Sequence, residues 1–188
     1  MPGESSPTPA HFRQVLSRLA TGVTVVATAE PDGRRHGMTV NSLTSVSLDP
    51  LLVLFCCERD ASLHDPVLRT GTWAVSLLSA EQEAVSRWFT NRERRDRDQF
   101  ADLDVRAGDA TGAPLLAGAL GWLECRTWAT YDGGDHTIVV GEVLDLAIGA
   151  DDADPLVYFH SRYCTVDQRS GTPTSAASPA TPSNNQAT

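Results

Sequence analysis

Two long strand-like runs joined by a glycine turn constrain the fold of this chain more than any other feature. Residues 120–131 and residues 137–148 both have the character of β-strands. Between them stands Asp132-Gly-Gly-Asp135, and paired glycines flanked by aspartates are typical of a tight β-hairpin. The sequence therefore predicts a pair of long antiparallel strands.

Other short segments repeat the strand pattern, and few have the periodicity of a helix. Further strands are predicted at residues 23–29, 38–40, 43–48, 51–57, 73–78 and 156–159. Helices are predicted at residues 11–20, with Phe12, Val15, Leu16 and Leu19 on one face, at residues 62–70 before Gly71, and from a Ser79–Gln82 capping box through Trp88. Many antiparallel-looking strands with two or three helices favour a mainly β fold of the closed-barrel type.

The ends of the chain differ in composition from its middle. Residues 1–9 are rich in proline and serine, which indicates a flexible N-terminus. Residues 167–188 lack apolar periodicity and cannot offset the entropy of ordering, so a disordered tail is predicted there. We expect a single folded domain over residues 10–166.

Charge and cysteine content narrow the class of protein. The formal net charge of −9 disfavours nucleic acid and anionic membranes as partners. No 18-residue apolar run and no secretory signal are present. The four cysteines lack Cys-x-x-Cys spacing and are expected to be reduced and mostly buried, in a cytoplasmic protein.

The segment Gly37 to Pro50 carries many small hydrogen-bonding side chains and a charge only at Asp49, its next-to-last residue. It runs Gly-Met-Thr-Val-Asn-Ser-Leu-Thr-Ser-Val-Ser-Leu-Asp-Pro and leads directly into the apolar run at residues 51–57. A neutral wall of donors beside a buried strand suits a large polar ligand with heterocyclic edges. A polar strand edge with turn residues would have the same composition, and both interpretations stay open.

Two further features admit both a functional and an ordinary interpretation. His136 follows the glycine turn, where an imidazole could stack on a ligand, donate a hydrogen bond or relay a proton, or could simply be an exposed loop histidine. Residues 92–98 mix four arginines with three acidic residues. That segment could be a solvated surface or a mobile flap whose arginines contact a phosphate.

Familiar catalytic motifs are missing from the sequence. It contains no Gly-x-Ser-x-Gly, Walker loop, His-Glu-x-x-His or Gly-x-Gly-x-x-Gly pattern, and its five histidines lack the spacing of metal ligands. A ligand wall with few ionisable catalytic groups fits chemistry carried by a cofactor, which the protein binds and orients.

The motifs together resemble the flavin reductase family, the small reductase partners of two-component flavin monooxygenases. The resemblance runs from about Phe12 to Tyr163. It comprises Phe12-Arg-x-x-Leu-Ser-x-Leu-Ala-Thr-Gly-Val-Thr-Val-Val26, the segment 37–50, Leu52-Val-Leu-Phe-Cys56, Gly134-Asp-His-Thr-Ile138, Val140-Gly-Glu-Val143 and Pro155-Leu-Val-Tyr-Phe159. The family likeness implies a split β-barrel that forms a homodimer and reduces FMN or FAD with NADH or NADPH.

The resemblance also implies which residues form the site. The segment matching Thr39, Asn41 and Ser42 would line the isoalloxazine ring, Cys56 and Cys57 would approach the ribityl chain, and His136 would face flavin and nicotinamide as the catalytic residue. The expected flavin-binding residues are Thr39, Val40, Asn41, Ser42, Ser45, Val46, Ser47, Cys56, Cys57, Arg59 and Ser62.

The phosphate end of the expected site departs from the family pattern. Where relatives commonly carry small hydroxyl residues, this chain has Glu58-Arg-Asp-Ala-Ser-Leu63. Arg59 and Ser62 suit a phosphate through charge and hydroxyl donation, whereas Glu58 and Asp60 would repel it if they pointed inward.

Two alternatives to a reductase stay open at this point. One is a flavin-binding barrel that acts as an electron carrier, a sensor or a flavin store, because a fold does not fix a function. The other is a purely structural barrel. No metal site is expected, and the protein partner implied by the resemblance is a flavin-dependent monooxygenase component.

Overall fold

The computed structural model describes residues 6–91 and 98–166. The helices are α1 (Pro9–Leu16), α2 (His64–Thr70), a 3₁₀ helix (Ala80–Gln82) and α3 (Glu83–Thr90). The strands are β1 (Thr21–Gly22), β2 (Thr24–Ala29), β3 (Arg35–Val40), β4 (Thr44–Leu48), β5 (Leu51–Glu58), β6 (Thr72–Leu77), β7 (Val105–Ala107), β8 (Pro114–Leu116), β9 (Gly121–Gly133), β10 (His136–Ile148), β11 (Leu156–Phe159) and β12 (Arg162–Thr165).

The main sheet has seven strands in the order β3-β2-β6-β9-β10-β5-β4, and every neighbouring pair is antiparallel. Its two edge strands, β3 and β4, are consecutive in the chain and are joined by residues 41–43 alone. Because three residues span little more than 10 Å, the two edges must lie close together and the sheet must curl. We call the opening between them the seam.

The sheet does not close across the seam, since β3 and β4 do not pair with each other. The closed barrel that the strand pattern favoured is therefore wrong, and the split barrel that the resemblance implied is confirmed. Residues 41–43, in the middle of the polar segment 37–50 predicted to bind a ligand, form the connection that crosses this seam. Topology therefore places the segment at the mouth of the barrel.

The predicted hairpin is present as β9 and β10, which pair over their whole length from His136 opposite Gly133. Gly134 takes the left-handed conformation, with φ of 76°, so the turn needs a residue without a Cβ atom. Irregular register near Gly141 and Leu144 bends the hairpin. These two strands form the back of the barrel.

Side-chain alternation along β5 separates the core from the outer surface. Val53, Phe55 and Cys57 are buried, whereas the residues between them are partly exposed. The Phe55 ring packs edge-on against Trp73, with ring centroids 5.0 Å apart. Both rings are fully buried, so they anchor the main hydrophobic cluster.

Three small strand pairings escaped the sequence analysis. Strands β1, β11 and β12 form one small sheet, and β7 pairs with β8 in another. A second hydrophobic cluster, containing Leu78, Phe89, Phe100 and Leu156, fills the space between α3 and the first small sheet. Strand β11 was predicted, but β1, β7, β8 and β12 have only two to four residues and no periodic signal that marks them in one sequence.

The helices lie where the sequence predicted them, but their first and last residues differ from the predicted ones. Helix α1 begins earlier than predicted, because the Thr8 hydroxyl caps it and accepts a bond from His11 N at 3.2 Å, and it ends at Leu16. Helix α2 ends at Gly71 in the left-handed conformation, as predicted. The Ser79–Gln82 capping box is present and opens the 3₁₀ helix that precedes α3.

Several predictions fall on parts of the chain that the structure does not describe. Residues 1–5, the tail 167–188 and the arginine-rich residues 92–97 lie outside the described residues. The domain limits 10–166 stay a prediction. In the described ranges, none of the helices has both the length and the apolar character needed to cross a membrane.

Candidate functional site

The end of β3 brings three of the predicted ligand-binding residues to the seam. The Thr39 hydroxyl donates to Ser86 O at 2.7 Å, so it can only accept a hydrogen bond from a ligand. Val40 points into the main core at 4% exposure, which leaves only its backbone toward the seam. Asn41 is exposed, so its side chain is open to solvent at the seam.

Ser42 ties the seam to the adjoining strand. Its hydroxyl oxygen accepts from Cys56 N at 3.0 Å, and this leaves the Ser42 O–H as a donor for a ligand. Cys56 is partly exposed on the outer face of β5. Cys57 is buried in the core, where burial raises the pKa of its thiol to about 12. The Cys57 thiol is therefore inert and directed away from the seam.

The predicted residues Ser45, Val46 and Ser47 lie on the edge strand β4. Ser45 and Val46 are exposed, and the pairing with β5 is interrupted between Ser45 and Ser47. The Ser47 hydroxyl accepts from Asp49 N at 3.2 Å. None of the three lines the two cavities described next, so their contact with a ligand stays a prediction.

Two adjoining cavities open at the seam, and Asn41 and Tyr158 belong to the walls of both. The smaller has a volume of about 190 Å³. Its wall consists of Val23, Thr39, Asn41, Thr90, Tyr158 and Tyr163. The larger has a volume of about 460 Å³. Its wall consists of Arg13, Leu16, Ser17, Leu19, Thr21, Asn41, Ser42, Tyr158 and Ser161. Together they form a groove with a polar rim and an aromatic divider, which suits ring-containing ligands.

His136 begins β10 and lies on the outer face of the sheet, opposite Glu58 of β5. Its Nδ1 lies 2.7 Å from an Asp135 carboxylate oxygen, and since a carboxylate accepts only, Nδ1 carries the proton. This hydrogen bond is the main reason that the pKa of Asp135 is lowered. Nε2 of the half-exposed ring is left to meet a ligand.

The hairpin turn is fixed by contacts on both sides of His136. Behind it, Thr137 is buried and its hydroxyl lies 2.9 Å from Nε2 of His64 in α2. In front, Arg59 donates to Gly134 O at 2.9 Å and to the Asp132 carboxylate at 2.8 Å. These contacts hold the start of β10 in place, and with it the His136 ring.

The two residues expected at a phosphate have partners within the chain. Arg59 is engaged with the hairpin turn, and Ser62 accepts a long bond of 3.4 Å from the buried Gln99 side chain. Neither lines the two seam cavities. Their role toward a phosphate stays a prediction.

The structure also brings to the groove residues that sequence analysis did not select. Arg13 comes from α1, Thr21 from β1, Tyr158 from β11, and Ser161 from the turn between β11 and β12. Arg13 and Thr21 belong to the first motif of the family resemblance and Tyr158 to the last, which is the only sequence signal that marked them. Ser161 lies outside those motifs, and pairing of β1 with β11, which one sequence does not reveal, brings these segments together.

Comparison with known proteins gives a consistent set of relatives. Residues 16–167 match the family model described as the flavin reductase like domain. An NADH-dependent FAD reductase from Streptomyces globisporus is 47% identical over 134 residues, which cover 71% of this chain and 72% of that protein.

Solved structures extend the likeness to the fold. The chain superposes with a TM-score of 0.80 on BorF, the flavin reductase component of a bacterial two-component tryptophan halogenase, at 44% identity over 86% of this chain and all of BorF. The flavin reductase of styrene monooxygenase from Pseudomonas putida S12 gives a TM-score of 0.73 at 33% identity, covering 83% of this chain and 97% of that one.

Proposed function

Because the chain belongs to the flavin reductase family, we propose that it is an NADH-dependent flavin reductase that reduces FMN or FAD and supplies reduced flavin to a separate oxygenase. The observation that carries this proposal is the pair of cavities at the seam, which share Asn41 and Tyr158. Two adjoining spaces with a common wall suit two ring-bearing ligands held against each other.

The residues at the seam fit a flavin. The Asn41 amide and the Ser42 hydroxyl can donate hydrogen bonds to heteroatoms at a ring edge, and Thr39, whose own O–H is bonded to Ser86 O, can accept one. Bound flavin would supply the two-electron acceptor for hydride from the nicotinamide, which no side chain can provide. The chain itself binds, orients and shields the reactants, which lowers the barrier through proximity and preorganised dipoles.

His136 is proposed as the residue that faces the reacting rings. Asp135 holds its Nδ1–H, so the ring keeps one orientation and presents Nε2 outward. A neutral Nε2 accepts a hydrogen bond and a protonated one donates, so this atom can orient a ligand or hold a proton next to it. The tie between Thr137 and His64 fixes the backbone on which the ring stands.

We also propose that the protein is a homodimer. Helix α1 and the turn after it expose an apolar row in the single chain, with Phe12 at 62% and Leu19 at 61% exposure. Exposed apolar rows of this kind mark interaction surfaces. In solution, light scattering should give twice the 20.2 kDa chain mass, and Phe12→Glu should shift it toward one chain. A wild-type mass of one chain would contradict the dimer.

The protein partner is proposed to be a flavin-dependent monooxygenase component, in keeping with the styrene monooxygenase reductase among its structural relatives. A cytoplasmic location is proposed from the cysteines. All four are free thiols, and two of them are buried, which suits a reducing compartment.

The test of the proposed function is NADH consumption by the purified protein with FMN, with FAD and with neither. We expect turnover that requires added flavin and saturates with it. Turnover without added flavin would instead mean a tightly held prosthetic group, and the protein would still be a reductase. Saturable flavin binding with no oxidation of NADH or NADPH would support the electron carrier, sensor or store.

A further inference from the structure

One buried serine of α3, Ser86, is bonded to two residues of the smaller seam cavity. That cavity has Thr39 of β3 and Tyr163 of β12 in its wall. The Thr39 hydroxyl donates to Ser86 O at 2.7 Å, and the Tyr163 hydroxyl lies 2.8 Å from Ser86 Oγ. Ser86 itself is fully buried and is not part of the wall. It therefore joins two cavity residues from different strands without contacting a ligand.

Tyr163 belongs to an aromatic pair that separates the two seam cavities. It lies directly opposite Tyr158 in the pairing of β11 with β12, and the two ring centroids are 5.3 Å apart at an interplanar angle of 63°. Tyr158 belongs to the walls of both cavities. Ser86 holds the hydroxyl end of Tyr163, and the Arg87 guanidinium lies 4.8 Å from the centre of its ring. The position of Tyr163 in turn limits where the Tyr158 ring can lie.

The part of α3 that carries Ser86 is itself well anchored. Phe89 is buried at 1% exposure and packs against Phe100, with ring centroids 4.9 Å apart. The indole N–H of Trp88 donates to Gln99 O at 2.8 Å. Side chains on an anchored helix can hold neighbouring groups in one geometry. The bond from Ser86 therefore passes the fixed position of α3 to the aromatic pair.

We propose that Ser86 is a positioning residue of the flavin reductase reaction, because its hydroxyl fixes the Tyr163–Tyr158 pair between the two cavities. The inference rests on the proposed function. Reaction between two bound rings depends steeply on their distance and orientation, and a displacement of about 1 Å can cost about 100-fold in rate. A buried serine with a purely structural role would contribute to stability and leave the reaction rate unchanged.

The kinetic test is Ser86→Ala, which removes the hydroxyl and keeps the carbonyl that holds Thr39. Single-turnover mixing of flavin-loaded protein with saturating NADH should show hydride transfer slowed about tenfold. The Kd for FMN should stay within about threefold of wild type, because the groups expected at the ring edge remain.

Ser76→Ala is the matched control for loss of a buried serine hydroxyl. Ser76 is 2% exposed, its hydroxyl accepts from Leu116 N at 3.1 Å, and it lines neither seam cavity. Chemical denaturation should show a similar loss of stability in Ser76→Ala and Ser86→Ala. The control should nevertheless transfer hydride at the wild-type rate.

Tyr163→Phe removes the other half of the same hydrogen bond and keeps the ring. It should slow hydride transfer by a factor similar to that of Ser86→Ala. The double variant should be no slower than either single one, because both lose one shared interaction. Losses that multiply in the double variant would overturn the proposal. Tyr163 is only partly buried, so Tyr163→Phe also tests the bond if Ser86→Ala does not fold.

A readout without ligand or turnover is available because the chain has three tyrosines. Incorporation of 3-fluorotyrosine gives each tyrosine its own ¹⁹F resonance, and Tyr131 of β9, at 59% exposure, is an internal reference. In Ser86→Ala the Tyr163 and Tyr158 resonances should shift or broaden while that of Tyr131 stays in place. Ser76→Ala should leave all three at their wild-type positions. Unchanged Tyr163 and Tyr158 resonances in Ser86→Ala would overturn the proposal.

The remaining outcomes separate the two possible failures. If wild type oxidises NADH with added flavin, and Ser86→Ala transfers hydride as fast as Ser76→Ala, only the positioning role fails, even where the tyrosine resonances have shifted. If wild type oxidises neither NADH nor NADPH with any flavin, the proposed function fails and the positioning role fails with it.

Discussion

The two ends of the β2–β3 hairpin differ in how their polar groups are satisfied. Each end opens into a cavity, and the one beside Glu30 is the larger, at about 580 Å³ against about 460 Å³. At the Glu30 end the buried carboxylate pairs with Arg69, Arg34 and His36. At the seam end the Thr21 hydroxyl is buried without a partner among the described residues. The two ends therefore differ in an unsatisfied buried hydroxyl and not only in cavity volume.

A second buried carboxylate strengthens this contrast. Glu124 accepts hydrogen bonds from Thr111 N and Thr111 Oγ1, both at 2.7 Å, and from Ala110 N at 3.0 Å. Thr111 also lines the 580 Å³ cavity. The polar groups here are hydrogen-bonded to one another, whereas the Thr21 hydroxyl near the seam has no partner among the described residues. Substitutions at the two ends should accordingly affect different properties.

The largest expected effect is on stability at the Glu30 end. Glu30→Ala removes the carboxylate that pairs with Arg34, Arg69 and His36. We expect the free energy of unfolding to fall by about 2 kcal/mol, a value kept low because the side chains of Arg34 and Arg69 are more than half exposed. Chemical denaturation measures this loss, and kcat/KM for NADH in the folded protein should stay at the wild-type value. A marked fall in kcat/KM would mean that the reaction takes place beside Glu30 and not at the seam.

His136→Ala, in contrast, should impair the reaction. We expect the rate of hydride transfer to fall at least about tenfold, because the ring that faces the reactants is lost, while flavin affinity changes little. Single-turnover mixing of NADH with flavin-loaded protein measures the rate, and His36→Ala serves as a histidine control from the Glu30 end. Equal rates for His136→Ala and wild type at saturating NADH would end the proposed role of His136.

A matched pair of threonines should respond with opposite signs. Thr21→Val removes a buried hydroxyl that has no partner, so it should stabilise the ligand-free protein by about 1 kcal/mol. Thr111→Val removes a bonded hydroxyl and should destabilise by a similar amount, about 1 kcal/mol. Thermal unfolding of both variants checks the signs. Destabilisation by Thr21→Val would mean that its hydroxyl is already satisfied.

The smallest predicted effect is the loss of stabilisation by Glu30 at low pH. The hydrogen bond from Arg69 is the main cause that lowers the pKa of Glu30 below its usual 4.5. The stabilisation is therefore present above about pH 4.5 and is lost as pH falls through the lowered pKa. The difference in melting temperature between wild type and Glu30→Gln should narrow below that pH. A difference that stays constant on acidification would contradict this assignment.

The sequence was informative where one segment determines its own structure. The glycine turn predicted the β9–β10 hairpin, Gly71 predicted the end of α2, and the apolar run at residues 51–57 predicted β5. These features depend on local conformation and periodicity, which a single chain displays directly. The split barrel required the family resemblance, because edge strands that fail to pair leave no mark in the sequence.

The candidate site was only partly predictable for the same reason. Asn41 and Ser42 were found because polar side chains concentrate in one segment. Val40 and Cys57 were included with their neighbours, although alternation buries both side chains in the core. Arg13 and Ser161 meet only after β1 pairs with β11, so no local signal joins them. Contacts between segments that are distant in the chain become visible only in the folded structure.

Flavin binding by the wild type and two variants tests most directly which end of the barrel holds the flavin. Quenching of FMN fluorescence would be titrated with wild type, Asn41→Ala and Glu30→Gln. We predict that Asn41→Ala weakens binding about fivefold, since one hydrogen bond at the ring edge is lost, and that folded Glu30→Gln binds like wild type. Weaker binding by Glu30→Gln with full affinity in Asn41→Ala would place the flavin in the 580 Å³ cavity beside Glu30 and contradict the account.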